Sequence, residues 1–337
     1  MSQTLAVKYR PQNFEDVTEQ SSIVRILKKQ IELKRYQNLL LCGPSGTGKT
    51  TLGRIFANEV NKGIGQPIEI DAASNSGVDN VRSIIKDAQE RSINGEYKIY
   101  IIDECHSLSN SAWQAFLKCI EETPKYTIFI FCTTDPQKVP STILNRVMRL
   151  NLNKISNEGI YDRLKFICQQ EGYINYNNSI KYISRICNGG MRDAISCLEK
   201  CITYSTDLRI ENVLKVLGDY SYDLYFNLIN SLIDGDLKHS LNTLDNIFNI
   251  GDPKIFVNQF FNLVIEINKY IIFGDMKCIN LPISLENNIK ECTNFENPLN
   301  YFNYMLDKIL DLKNNIKGDV DINNTIIATF IQISRLK

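Results

Sequence analysis

A glycine-rich segment, GPSGTGKT at residues 43–50, constrains the fold of this chain more than any other feature of its sequence. It follows a short apolar run, NLLLC, and precedes a helical pattern, TLGRIFANEV. In that setting the backbone N–H groups of the loop surround phosphate oxygens, Lys49 reaches the terminal phosphates of a nucleotide, and the Thr50 hydroxyl binds Mg²⁺. A glycine-rich turn without a function can match the same pattern, but the strand–loop–helix context favours a nucleotide site.

Short apolar runs alternate with amphipathic helical patterns in the first part of the chain. The predicted strands lie at 38–42, 67–71, 98–103, 127–133 and 147–152, and the predicted helices at 49–61, 78–92, 111–122 and 139–146. Parallel strands separated by helices of this length are joined by right-handed crossovers, which place helices on both faces of the sheet. The sequence therefore predicts an α/β nucleotide-binding domain at residues 1–155.

The strand signal disappears after Ser156. Helices are predicted at 158–170, 179–187, 192–204 and 210–217, and longer apolar helical patterns follow Asp219. We therefore expect a small helical domain at residues 156–218 and an all-helical C-terminal domain at residues 219–337.

Composition excludes several classes of protein. The 337 residues include 38 Lys and Arg against 38 Asp and Glu, so no uniformly basic body indicates a nucleic-acid partner. No segment approaches the roughly 18–20 apolar residues of a membrane helix, and the N-terminus lacks the apolar core of a signal peptide. The ten cysteines lie mostly inside apolar runs without a CxxC pair, which favours reduced, buried thiols in a cytoplasmic protein.

Two carboxylates, Asp103 and Glu104, end the apolar strand KIYIID. Beside a phosphate loop, the first can hold Mg²⁺ through water, and the second can orient or deprotonate the attacking water. Such a pair is usually a solvated strand end, but with the loop upstream we interpret it as a Walker B element. We interpret His106 as a surface residue or as one that contacts these carboxylates without contacting the nucleotide.

Two further features can complete a nucleotide-hydrolysing site. Thr133 and Thr134 end the next strand, where polar groups would meet the γ-phosphate, although an ordinary strand end explains them too. Arg146 ends a predicted helix and can neutralise charge on a transferred phosphoryl group, including one held by a neighbouring subunit. The alternative is a cation favoured by the dipole at a helix C-terminus.

Several longer strings resemble one known family. KYRPQNFEDV at 8–17, IDAASNSGVD at 70–79, TTDPQKVP at 133–140 and GMRDA at 190–194 resemble the gamma/tau subunits of bacterial DNA polymerase III. Those subunits are the AAA+ ATPase motors of sliding-clamp loaders. The resemblance is dense over residues 5–200; beyond Asp219 only length and helicity agree.

The resemblance implies roles for particular residues. Thr134 would be the sensor 1 residue, Arg192 the sensor 2 residue, and Arg146 the arginine finger that acts on ATP in the adjacent subunit. Together with Lys49, Asp103 and Glu104, these residues would carry hydrolysis of ATP, with Mg²⁺ held by Thr50 and Asp103. The residues that would bind ATP are Tyr9, Arg10, Pro11, Val17, Gly43, Pro44, Ser45, Gly46, Thr47, Gly48, Lys49, Thr50, Thr51 and Arg192.

The chain departs from the family pattern at several points. The four-cysteine zinc module of cellular gamma/tau subunits is replaced by KGIGQ at 62–66, so we expect no zinc. The finger motif reads Asn145-Arg146-Val147 instead of Ser-Arg-Cys, and Glu19 replaces a glycine. The sequence ends at Lys337 without the extended tail of tau, which indicates a compact, divergent motor subunit.

The resemblance also implies partners: other subunits of a pentameric ring, a sliding clamp, and primer–template DNA held through its backbone. In clamp loaders, successive helix N-termini follow the phosphate backbone, because exposed N–H groups and the helix dipole favour anions. The matching positions are Asn75, Ser76, Asn110, Lys138 and Thr142. As single residues, they fit plain helix caps almost equally well.

Three other functions remain open. The chain can be a structural subunit that binds a nucleotide without turnover, although the intact Lys49, Thr50, Asp103 and Glu104 argue against this. It can be another AAA+ machine, such as a Holliday-junction motor or a helicase loader, but the DAASNSGVD and TTDPQKVP strings disfavour this. A P-loop metabolite kinase fits least, since such enzymes lack a helical lid that carries a sensor and a third, helical domain.

Overall fold

The chain forms two compact units, Met1–Arg209 and Ile210–Lys337. The structure, a computed structural model, describes residues 3–92, 95–218, 220–279, 281, 285–316 and 321–335. The first unit contains the predicted nucleotide-binding domain and most of the predicted small helical domain. The expected boundary after residue 155 stays a prediction, and residue 219, where the third predicted domain begins, lies outside the described residues.

A single parallel sheet forms the centre of the first unit. Its described strands are β1 (Leu39–Cys42), β2 (Ile68–Asp71), β3 (Lys98–Asp103), β4 (Thr127–Thr133) and β5 (Met148–Asn151). Their order across the sheet is β2-β3-β4-β1-β5, and every pairing is parallel. The predicted strands and the α/β class are confirmed. The register aligns Cys42 with Thr133, so β1 and β4 end at the same edge of the sheet.

Helices cover both faces of the sheet and form the rest of the first unit. They are α1 (Leu5–Lys8), α2 (Ser21–Leu33), α3 (Lys49–Val60), α4 (Val78–Ala88), α5 (Asn110–Glu121), α6 (Ser141–Leu144), α7 (Asn157–Glu171), α8 (Asn177–Ile186) and α9 (Met191–Tyr204). The predicted helix at 139–146 is wrong in length. Val139 is extended, because proline disfavours a helical conformation in the residue before it, and α6 runs only from Ser141 to Leu144.

Alternate residues of the central strands pack into two separate cores. Leu40, Tyr100 and Phe129 lie in the core that includes residues of α4 and α5. Leu39 and Ile101 lie in the other core, which includes residues of α2 and α3. Every residue of β4 is buried, as expected for a central strand covered on both faces. These two cores fix the strand ends from which the candidate site is built.

The second unit is helical throughout its described residues. Its helices are α10 (Ile210–Leu217), α11 (Tyr222–Asp234), α12 (Leu237–Ile250), α13 (Pro253–Phe273), α14 (Glu286–Cys292), α15 (Pro298–Asn315) and α16 (Ile322–Ser334). Helices α11 to α16 contribute to one apolar core rich in aromatic side chains, including Phe256, Phe260, Phe302 and Phe330. Within the described part of the chain, no helix is both long and apolar enough to cross a membrane.

Candidate nucleotide-binding site

The glycine-rich loop connects the end of β1 to the start of α3, and its conformation requires glycine. Gly43, Gly46 and Gly48 have φ values of +155°, +72° and +99°. At Gly43, a Cβ would lie 2.7 Å from the carbonyl oxygen of Leu152. No side chain caps the N-terminus of α3. The first turn of this helix therefore presents N–H groups, which suit an anion, directly after the loop.

Lys49 lies inside this loop with only 6% of its surface exposed. Its Nζ donates hydrogen bonds to the carbonyl oxygens of Gly43 and Pro44, both at 2.9 Å. Burial lowers the pKa of the Lys49 ammonium, while the carboxylates of Glu104 and Asp103 act in the opposite direction. The loop thus holds a cation in place among its own carbonyl groups, where a phosphate oxygen can replace them as acceptor.

The Thr50 hydroxyl and the Asp103 carboxylate meet between the loop and the end of β3. Thr50 Oγ1 donates to Asp103 Oδ2 at 2.7 Å, and the backbone N–H of Glu104 donates to Asp103 Oδ1 at 2.9 Å. Hydroxyl and carboxylate oxygens are ligands that Mg²⁺ accepts, and this ion usually takes its other ligands from water and substrate phosphates. The pair therefore fits a magnesium ion that accompanies a nucleotide.

Glu104 lies next to this pair in a left-handed backbone conformation, with φ of +47°. A positive φ is uncommon for a residue with a side chain and is typical of functional sites. Glu104 Oε2 accepts a hydrogen bond from Thr134 Oγ1 at 3.3 Å and lies 3.2 Å from His106 Nδ1. The same nitrogen is 3.2 Å from Thr133 Oγ1. The ends of β3 and β4 therefore hold the carboxylate from both sides.

The N-terminal segment forms one wall of a cleft in front of the loop, with about 1080 Å³ of empty space including its opening. Of the predicted residues, those that line this cleft are Tyr9, Arg10, Pro11, Val17, Ser45, Gly46, Thr47, Gly48, Lys49, Thr50, Thr51, Asp103, Glu104 and Arg192. Gly43 and Pro44 contribute instead the carbonyl groups that hold Lys49.

Tyr9 is tied to α7. Its hydroxyl donates to Glu171 Oε1 at 2.5 Å, and Lys8 forms an ion pair with the same carboxylate. Burial, followed by the bond to Glu171, raises the pKa of Tyr9 to about 12. Sequence reasoning missed Arg163 of α7, which lines the cleft and donates from Nη2 to the Tyr9 carbonyl oxygen at 2.7 Å. No motif surrounds Arg163, so nothing in the sequence distinguishes it from other arginines.

Arg192 enters the cleft from the start of α9. The N–H of Met191 donates to the carbonyl oxygen of Gly46 at 3.1 Å, and a Cβ at Gly46 would lie 3.1 Å from Gly190 Cα. The helix N-terminus therefore contacts the glycine-rich loop directly. Arg192 is exposed and has no ion-pair partner among the described residues. Burial lowers the pKa of the neighbouring Arg10, and the charge of Arg192 adds to this effect.

Arg146 is absent from the described lining of this cleft. Arg146 lies just before β5. The N–H of Met148, the first residue of β5, donates to the carbonyl oxygen of Asn38, the residue before β1. Arg146 therefore lies near the end of the sheet opposite the glycine-rich loop. Its guanidinium contacts Glu121 Oε1 at 2.5 Å and the Thr142 carbonyl oxygen at 2.7 Å. The structure does not bring Arg146 to the nucleotide cleft of its own chain.

Two of the predicted DNA-binding segments lie side by side. The N–H of Ser109, which caps α5, donates to the Ser76 carbonyl oxygen at 3.2 Å, so the segments before α4 and α5 meet. Asn75 lies in the first segment, and its side-chain amide donates to the Asp71 carbonyl oxygen. The exposed Asn110 begins α5.

The other two predicted DNA contacts lie farther along the chain. Lys138 is exposed and lies 3.5 Å from Asp135, and Thr142 is exposed on the short helix α6.

None of the ten cysteines forms a disulfide bond, and most of them are buried. The sulfurs of Cys187 and Cys197 lie 3.9 Å apart. In the described part of the chain, no group of three or more His, Cys, Asp or Glu side chains is arranged to hold a metal ion. The absence of zinc from the purified protein stays a prediction.

Similarity to known proteins agrees with the site. The family model described as "DNA polymerase III, delta subunit" matches residues 66–156. The chain is 38% identical to the tau subunit of DNA polymerase III from Bacillus subtilis over 74% of this chain and 49% of that protein. It is 31% identical to the gamma/tau subunit from Mycoplasma genitalium over 88% and 53% of the two chains. The chain thus spans about half the length of these two relatives.

A shorter relative is covered more completely. The DNA polymerase III gamma subunit from Buchnera aphidicola of Schizaphis graminum is 33% identical over 80% of this chain and 79% of that protein. Among solved structures, the RuvB Holliday-junction branch-migration motor of Thermotoga maritima matches with a TM-score of 0.54 and 18% identity, over 67% of this chain and 79% of that one. At that identity the likeness shows a shared fold and nothing more.

Proposed function

This chain belongs to the DNA polymerase III gamma/tau family of DNA replication and has an AAA+ fold, and from that premise we propose that it is an ATP-hydrolysing subunit of a sliding-clamp loader. In this role it uses ATP binding and hydrolysis to open a ring clamp and to load the clamp onto primer–template DNA. The observation that carries the proposal is the meeting of Lys49, Thr50, Asp103 and Glu104 at the mouth of one cleft.

Each of these residues has a distinct task. Lys49 neutralises the β- and γ-phosphates, and the N–H groups at the start of α3 add further positive potential. Thr50 and Asp103 hold Mg²⁺, which neutralises charge on the phosphates when it is bound. Glu104 orients the attacking water and accepts its proton. Thr134 supports this step because its hydroxyl holds the Glu104 carboxylate at 3.3 Å.

The outer wall of the cleft suits the nucleoside. We assign the adenine to the surface formed by Tyr9, Arg10, Pro11 and Val17, with Arg163 holding the Tyr9 backbone in place. Arg192 enters from the start of α9, beside the glycine-rich loop, and we assign it to the γ-phosphate.

Arg146 serves a neighbouring subunit in this proposal. Its distance from the cleft of its own chain supports a role in trans, since an arginine that stabilises a transferred phosphoryl group must contact that group. An assembled ring would place the Arg146 of one subunit against the nucleotide of the next. We further propose that residues 156–218 act as a lid over the nucleotide and that residues 219–337 form the collar through which subunits assemble.

DNA would be held along the N-termini of successive helices. The contact between Ser76 and Ser109 supports this proposal, because it brings the segments that contain Asn75 and Asn110 together on one surface. Lys138 and Thr142 would extend the contact toward α6. Such contacts read the phosphate backbone and not the base sequence, as a loader that acts at any primer end requires.

Purification of the assembly from its own cells tests the proposed function. A tagged full-length chain should co-purify with a ring clamp and with other loader subunits, and the complex should hydrolyse ATP faster when primed DNA and clamp are added. A complex that binds ATP without any turnover would instead favour the non-hydrolysing structural subunit. Stimulation by four-way junctions, and not by primed DNA and clamp, would favour a different AAA+ motor.

A further inference from the structure

Arg146 is held by two contacts that join the ends of two helices. Its Nη2 lies 2.5 Å from Glu121 Oε1, and its Nη1 donates to the Thr142 carbonyl oxygen at 2.7 Å. Glu121 is the last residue of α5, and Thr142 belongs to α6. The guanidinium is thus fixed at both of its terminal nitrogens before any partner is present.

Glu121 lies where a helix disfavours a carboxylate. The C-terminal end of a helix carries a partial negative charge, which repels an anion. The next residue, Glu122, is also exposed but has no ion-pair partner among the described residues. The two carboxylates are adjacent in sequence, and among the described ion pairs only Glu121 is paired with Arg146.

The ion pair leaves the guanidinium able to bind a phosphate. A guanidinium carries five N–H donors in one rigid plane. The contacts to Glu121 and to the Thr142 carbonyl occupy one donor each, so three donors remain. A phosphoryl oxygen can therefore be bound while Glu121 keeps its contact, and the carboxylate acts as a support and not as a competitor.

The surface around Arg146 favours an anion. Lys34, Arg35 and Lys125 line the same cleft as Arg146, and no carboxylate occurs among the described residues of that lining. Glu121 offsets the charge of Arg146 itself, so Lys34, Arg35 and Lys125 are the cations that leave a positive potential at this opening. A negatively charged group brought by another subunit would be attracted to the end of the sheet where Arg146 lies.

We propose that Glu121 is a positioning residue that holds the Arg146 guanidinium ready for a phosphoryl group presented by a neighbouring subunit. This inference rests on the proposed function of Arg146 as a finger acting in trans. A long side chain that is free before binding loses rotamer freedom when it makes its contact, which weakens that contact. Glu121 and the Thr142 carbonyl remove most of this loss in advance.

The test is Glu121→Gln in the full-length chain, measured in the complex that co-purifies with it. The amide keeps the size of the side chain but removes the charge that holds Arg146. We expect kcat for ATP hydrolysis to fall roughly 3- to 10-fold, which corresponds to ordering one free side chain, without a change in KM. ATP affinity and the unfolding midpoint of the isolated chain should stay the same, because the pair is far from the cleft and more than a third exposed.

Two controls separate positioning from other effects. Glu122→Gln removes the adjacent carboxylate and should leave kcat unchanged. In an Arg146→Ala background, Glu121→Gln should cause no further loss, because a positioning residue has nothing left to position. Glu121→Asp keeps the charge on a shorter side chain and should retain part of the activity.

Several results would overturn the proposal. If Glu121→Gln leaves kcat unchanged, raises it, or lowers it equally in the Arg146→Ala background, Glu121 does not act through Arg146. If Arg146→Ala leaves kcat unchanged while Lys49→Ala abolishes ATP binding, the proposed role of Glu121 is wrong but the proposed ATPase function stands. If Lys49→Ala also leaves ATP binding and hydrolysis intact, the proposed function fails as well.

Discussion

Lys49→Ala is the most direct perturbation of the nucleotide site. In this structure the ammonium is almost fully buried, and its hydrogen-bond partners are the carbonyl oxygens of Gly43 and Pro44. Alanine removes the charge and both bonds, and no other described cation lies inside the loop to replace them. We therefore expect a large loss of ATP affinity in the isolated chain.

The two hydrogen bonds give the size of this loss. A charge-assisted hydrogen bond contributes about 1.5–3 kcal/mol, so two bonds to phosphate oxygens amount to about 3–6 kcal/mol. Binding exchanges the carbonyl contacts for phosphate contacts, so we take the lower end of that range. A loss of about 3 kcal/mol weakens binding by on the order of 100-fold.

Calorimetric titration of a non-hydrolysable ATP analogue with Mg²⁺ measures this effect. Lys49→Met should lose the same affinity while it keeps a long apolar side chain in the loop, so a folding defect in Lys49→Ala would not obscure the result. Lys86→Ala, which alters an exposed lysine on α4, serves as the matched control and should bind normally. Affinities within about threefold of wild type in both Lys49 variants would refute the reasoning, since the ammonium would then contribute less than one hydrogen bond.

Four other outcomes are expected. Glu104→Gln should bind ATP and lose hydrolysis, because an amide cannot accept the proton of water; turnover at the wild-type rate would refute the Walker B assignment. Arg146→Ala should leave ATP binding by the lone chain unchanged and slow hydrolysis in the assembly by on the order of 10³-fold. In mixed assemblies of Arg146→Ala and Glu104→Gln subunits, activity should return only at sites where an intact Glu104 faces an intact Arg146. Weaker ATP binding by the isolated Arg146→Ala chain would contradict a role in trans. Metal analysis after dialysis against a chelator should find no stoichiometric zinc, and one retained zinc per chain would contradict this. Hydrogen bonds from Lys8 and Tyr9 lower the pKa of Glu171, so its contribution to stability is complete at neutral pH and is lost as the pH falls through the lowered value. The difference in unfolding free energy between wild type and Glu171→Gln should therefore shrink as the pH falls below about 4.3, the ordinary pKa of a glutamate, and a difference that stays constant below that pH would exclude this linkage.

The parts of the fold that sequence predicts best are those with a strong local signal. The central strands are apolar runs, and the run IFIFC between Thr127 and Thr133 predicts β4 with its observed bounds, because a parallel strand covered on both faces buries nearly all of its side chains. The apolar spacing over 139–146 predicts a helix of the right type and the wrong extent, because Pro140 has a steric and local effect on Val139 that the spacing does not reflect.

In the candidate site, too, the residues that sequence predicts are those that belong to a short local motif. Lys49, Thr50, Asp103 and Glu104 are recognisable in sequence because the phosphate loop and the strand-end carboxylates depend on fixed short spacings. Arg163 has no such spacing. It meets Tyr9, 154 positions away in the chain, only because α7 packs beside the N-terminal segment.

The sequence by itself determined the chemistry of this protein: a loop that must be glycine at three positions, a lysine within it, and two carboxylates at the end of an apolar strand. These features depend on neighbours in the chain, so local order is enough to specify them. Only the tertiary structure decided which distant groups surround that chemistry. The order β2-β3-β4-β1-β5 brings Thr134 to Glu104, and the packing of α5 against α6 pairs Arg146 with Glu121, away from the cleft. The physical reason is that contacts between distant segments follow from how whole elements bury their apolar faces, which no short stretch of sequence records.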